Sequence, residues 1–85
     1  MDVLGKNKTA EAYRVSVEID GRAVVGLVPD AFLTSEYGRG ARVSHTEAYE
    51  WIAANRHDLT DAIRARLAGQ QPRAPYRAVV LEQER

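Results

Sequence analysis

The chain has 85 residues, 12 basic and 12 acidic side chains, no net charge and no cysteine. That length bounds it to a single domain, 1–85, with one small core. Balanced charge argues against broad electrostatic binding to nucleic acid or to an anionic membrane, and the lack of cysteine excludes a disulfide framework, a zinc knuckle and a thiol nucleophile.

Hydrophobic residues make up 45% of the chain, enough for a folded protein rather than a disordered one. No apolar run approaches the roughly 18 residues of a membrane helix. The opening MDVLGKNKTA lacks the apolar centre of a signal peptide. A cytoplasmic protein with no membrane partner is the expectation.

Residues 1–10 read as a loose segment. Val3 and Leu4 offer a short strand at most, and Gly5 to Thr9 read as a loop. Residues 12–20, AYRVSVEID, alternate: Tyr13, Val15, Val17 and Ile19 share one face, and Arg14, Ser16 and Glu18 the other. That is the period of a strand with one wet face. Asp20-Gly21 is a strong two-residue hairpin signal, because both residues tolerate positive φ. The return strand is RAVVGLV, residues 22–28, with Ile19 facing Arg22, Val17 facing Val24 and Tyr13 facing Val28. Gly26 then lies opposite Val15, at a bulge or where a helix approaches closely. Asp30 is placed to cap a short helix over 31–37, which Gly38 ends.

The stretch from Ser44 to Gly69 contains neither proline nor internal glycine. Ser44 and Glu47 form a capping box, and Gly69 after Arg64 and Arg66 is a stop signal. Ala48, Ile52, Leu59, Ile63 and Leu67 fall within an arc of roughly 100°, so the phase favours one continuous helix. Such a helix would run about 37 Å, long against the roughly 12 Å radius of gyration of a domain this size. It must either bend near Asn55–Asp58 or overhang its sheet and meet a partner. A loop over 70–75, a last strand over 76–81 and a charged tail over 82–85 complete the chain. The order β-β-short α-long α-β gives an α+β fold: an antiparallel sheet built on an N-terminal hairpin, with the long helix on one face.

Val15-x-Val17 with Asp20-Gly21, the run Val25 to Leu33, the helix Glu47 to Ala62 with its Asn55-Arg56 pair, and Gly69, Tyr76 and Val79-Val80 together resemble a family of short bacterial proteins catalogued as domain of unknown function 1488. The resemblance covers roughly residues 13–82. Similar proteins lack a proline at Pro29 and have a longer N-terminus. The family has no assigned activity, so the likeness implies a fold and no chemistry. Tyr13-x-Val15, Val28-Pro29-Asp30 and Glu47-Ala48 are similar, over a shorter span, to HicB-like antitoxins, which implies a nucleic-acid-linked regulator or partner protein.

His45 and His57, 12 residues apart on one helix, cannot share a metal within one chain. No serine has a base and an orienting acid in a recognisable pattern, and the acidic residues are not paired at a fixed spacing. No catalytic residue, cofactor or metal is therefore expected. Trp51 lies off the apolar stripe and is the aromatic suited to an interface. Asn55 and Arg56, a donor–acceptor amide beside a forked guanidinium, suit an interface or ligand role at mid-helix. Arg39 and Arg42 before the helix, with Arg64, Arg66, Arg73 and Arg77 after it, are candidates for an anion or partner patch. The expected function is a homodimeric, non-catalytic interaction or accessory module, with a nucleic-acid-linked regulator as the alternative.

Overall fold

The computed structural model describes residues 1–37 and 43–82. Strands β1 (Asp2–Asn7), β2 (Ala12–Ile19), β3 (Arg22–Pro29) and β4 (Val80–Leu81) form one antiparallel sheet in that order, and helices α1 (Asp30–Tyr37), α2 (His45–Ala54) and α3 (Arg56–Leu67) complete an α+β fold.

The central hairpin has the expected register. Ile19 pairs with Arg22, Val17 with Val24, Val15 with Gly26 and Tyr13 with Val28. Asp20 and Gly21 take φ values of 52° and 80°, the positive pair that a two-residue turn needs to follow the strand twist. Tyr13, Val15, Val17 and Ile19 are buried, and Leu33, Ile52, Leu59, Ile63 and Val79 close over them.

Three elements differ from the sequence expectation. The N-terminal segment is not loose: Asp2–Asn7 is a full edge strand paired with β2. Gly5 signalled a loop because it serves a bulge, where the register shifts between Val3 and Gly5 and Gly5 takes a φ of 110°, and Asn7 because it opens the turn to β2, its Oδ1 accepting from the Ala10 N–H at 3.1 Å. The last strand shrinks to two residues, because Tyr76–Ala78 winds into a single 3₁₀ turn. The pairing goes one bond further, with the Glu82 N–H donating to the Val25 carbonyl at 3.0 Å.

The third difference is the long helix, which is broken at Asn55. The capping box at Ser44 and Glu47 forms as expected. At the other end of α2, Asn55 leaves helical geometry, with φ −108° and ψ 18°. Its side-chain amide donates to the Trp51 carbonyl at 2.9 Å, beside the backbone bond to that same oxygen at 3.0 Å. An asparagine side chain that bonds its own preceding turn competes with helical geometry. The chain has a radius of gyration of 12.0 Å. Residues 38–42, including Gly38, Arg39 and Arg42, lie outside the described residues.

Gly26 marks the close approach anticipated for it. A Cβ there would lie 2.7 Å from Ile63 Cδ1 and 2.8 Å from its Cγ1. The missing side chain is what lets α3 settle on β3.

Candidate functional site

Of the expected interface residues, Trp51 and Asn55 meet at Tyr76, and Arg56 serves another partner. Trp51 is half-buried, edge-on to Phe32 at 5.4 Å and tilted against Tyr76 at 6.3 Å between ring centroids. It lies off the α2 stripe because it packs sideways onto α1 and the 3₁₀ turn. Asn55 is a structural hinge: its amide nitrogen holds Trp51, and its Oδ1 accepts from the Tyr76 hydroxyl at 3.1 Å. The same hydroxyl reaches Asp58 Oδ2 at 3.0 Å, so one phenol proton is shared between two acceptors. Burial, reinforced by that bond to Asp58, pushes the Tyr76 phenol above its ordinary value. Arg56 is exposed and donates to the Ala53 carbonyl at 3.0 Å. Although adjacent in sequence, the two residues serve different partners.

Replacing Tyr76 with phenylalanine strands the Asn55 carbonyl in a half-buried setting, at a cost of about 1–2 kcal/mol. Urea unfolding measures this, and unchanged stability would show that water replaces the phenol without loss.

The arginines are also dispersed. Arg66 donates through Nε to the Val79 carbonyl at 3.0 Å and through Nη2 to the Arg77 carbonyl at 2.6 Å, so it ties α3 to the chain entering β4. Arg64 lines a cavity beside Asp20 and Arg22 at the hairpin end, whereas Arg73 lines another with Asp58 and Asp61. Arg73 lies 4.0 Å from Asp58, and Arg77 is exposed. Arg64, Arg66, Arg73 and Arg77 therefore do not make a single patch.

Two places that sequence reasoning did not single out have the geometry of sites. The first is a cleft of about 640 Å³ where the β1–β2 turn meets the starts of α1 and α2. Its floor is Tyr13, 2% exposed, whose hydroxyl lies 2.8 Å from His45 Nδ1. The Tyr13 ring stands edge-on to His45 and Tyr49, and the Lys6 ammonium lies 5.9 Å from its centre. Lys6 pairs with Asp30 at 2.5 Å. Burial raises the Tyr13 phenol above its ordinary value, the Asp30 charge adds to this, and Lys6 opposes it. Sequence shows Tyr13 only as one member of an alternating strand and His45 only as a first-turn residue. They are 32 positions apart, and no local signal joins them.

The second place is the outward face of the sheet. Residues alternating with the core row on β3 are Ala23, Val25, Leu27 and Pro29, and Val80 pairs beside Leu27. Val25 and Leu27 are half-buried without belonging to the core, and Val80 is 38% exposed. A strand apolar on both sides is the pattern of one covered on both sides, yet among the described residues the helices cover only one. Arg14 and Glu82 clasp each other across this face, Nε to Oε2 at 2.5 Å and Nη2 to Oε1 at 2.8 Å. That hydrogen bond holds the Glu82 carboxyl below its ordinary value.

Among the described residues no group of three or more histidine or acidic side chains is placed to hold a metal ion, and no helix is long and apolar enough to cross a membrane. No family model, curated protein or solved structure matches the chain.

Proposed function

We propose that the chain is a non-catalytic interaction module that works as a homodimer, with two sheets packed through their outward faces. The observation that carries this reading is the apolar row of half-buried Val25 and Leu27 with exposed Val80, on the face that the described helices leave open. Two arguments favour a second copy as the occupant. The Arg14–Glu82 fork neutralises its own charges beside the apolar row, and the other two charges of the face, Asp2 and Glu18, lie toward its β1 and hairpin edges, so the row itself can meet an identical row. The area is the second argument. Strands of 6, 8, 8 and 2 residues, at about 3.3 Å per residue and about 4.8 Å apart, outline about 380 Å². Two such faces outline about 760 Å², which side-chain relief raises toward the roughly 1,000 Å² at which a specific interface begins. Zero net charge does little to oppose self-association. The helix overhang, an earlier reason to expect a partner, plays no part in this reading.

Light scattering tests it. The native chain should give about twice the 9.5 kDa chain mass. Leu27→Lys should give the single-chain mass with an unchanged circular dichroism spectrum, because it sets like charges against each other across the two-fold axis. A native chain that is monomeric at high micromolar concentration would remove the proposal. A Leu27→Lys variant that still dimerises would move the interface elsewhere.

The alternative, a nucleic-acid-linked regulator, depends on the arginines. With Arg66 engaged by backbone carbonyls, it has less support.

A further inference from the structure

The cleft beside Tyr13 has walls of balanced charge. The β1–β2 turn contributes Lys8 and Glu11, and the sheet and helix starts contribute Lys6, Asp30 and His45. Glu11 holds a φ of 50°, a strained conformation that costs a non-glycine residue about 1 kcal/mol or more. Its carbonyl takes the Asp30 N–H at 2.9 Å, which sets the two acidic residues side by side. Lys6 occupies Asp30 Oδ2, so the other oxygen of that carboxylate remains an acceptor. On the α2 side, His45 is oriented by Tyr13 through Nδ1. In the tautomer where the phenol donates to Nδ1, the imidazole proton sits on Nε2, which is then the ring's one donor.

A bare anion in this cleft would meet two carboxylates, and a bare cation would meet two ammonium groups. A ligand carrying both charges meets a partner for each. The geometry points to a site for a small zwitterion, an amino acid or dipeptide, with its carboxylate against Lys8 and His45 and its ammonium against Glu11 and Asp30. A volume of about 640 Å³ is within the range of small-molecule sites. Ala31, Val43 and the Tyr13 ring supply apolar contact for a short side chain.

The test is a chemical-shift titration of the full chain with alanyl-alanine, its N-acetyl derivative and its C-terminal amide. The free dipeptide should give saturable shifts at residues 8–13 and 45, and blocking either end should weaken binding about tenfold, the loss of one charge-assisted contact. Lys8→Gln should reproduce the loss seen with the amide, and Glu11→Gln the loss seen with the acetyl derivative. Both positions lie on an exposed turn, so the fold is kept. Blocked dipeptides that bind as well as the free one, or no saturable shift at about 10 mM, would overturn the assignment. Repeating the titration on Leu27→Lys separates this site from the sheet-face proposal, since that substitution leaves the cleft intact.

Discussion

Truncating Leu59 to alanine should cost about 3–4 kcal/mol, whereas truncating Leu67, on the same stripe of the same helix, should cost under about 1 kcal/mol. Leu59 is fully buried in the first turn of α3, and Leu67 is 43% exposed in its last. Emptying a closed core site loses both the transfer free energy of the removed atoms and the contacts lining the cavity, about 2–5 kcal/mol for leucine. An exposed leucine forfeits only part of the transfer free energy. A chain of this length holds about 4–13 kcal/mol of stability in total, so the Leu59 variant should lie near its unfolding threshold at 37 °C. Urea midpoints of the two variants decide this, and equal losses would mean that the C-terminal turn of α3 is packed as firmly as its first.

The second large effect concerns Gly26. Alanine there should destabilise the fold by about 1–2 kcal/mol, although glycine is a poor strand residue. Removing glycine's backbone freedom would by itself gain about 0.5–1 kcal/mol. Against this, the new methyl would sit under 3 Å from both Cγ1 and Cδ1 of Ile63, a side chain with no exposure and no room to retreat. Overpacking of that kind costs about 1–3 kcal/mol. The contact can be tested directly by a cycle with Ile63→Val, which alone costs about 0.5–1.5 kcal/mol. The double variant should lose about 1 kcal/mol less than the sum of the singles. Strict additivity, or a stabilised Gly26→Ala, would show that α3 does not press on β3 at this point.

Gly26 is also where the sequence was most legible. The apolar alternation of residues 12–20, the Asp20-Gly21 turn and the register opposite Val15 follow from period and turn chemistry alone, and a glycine inside such a strand has few explanations besides a bulge or a close neighbour. The capping box at Ser44 was legible for the same reason, since its whole mechanism lies within four residues. The break at Asn55 was legible only as one of two outcomes. Phase continuity across residues 48–67 suits both a straight helix and a bent one, and the competing bond from the Asn55 side chain to the Trp51 carbonyl has no signature in the apolar phase. β1 was read as a short strand at most, because Gly5 serves a bulge and Asn7 a turn, and both read locally as a loop. The cleft was invisible because Tyr13 and His45 meet only through tertiary packing, and the packing of Trp51 was not readable because its partner, Phe32, lies on another helix.

The short β4 strand bears on how the chain acquires its shape. β1, β2 and β3 are joined by tight turns in a meander, so their pairings close only small loops. The one distant pairing, Leu27 with Val80, spans about 50 residues and involves two residues of β4. Loop-closure entropy rises with separation, and non-local pairing is the slow part of forming a sheet. Here that part is small. The C-terminal segment is held to the rest through Arg66, Tyr76 and the Arg14–Glu82 clasp. A chain arranged this way has low topological complexity: most of its sheet is local pairing, and only one edge depends on residues distant in sequence.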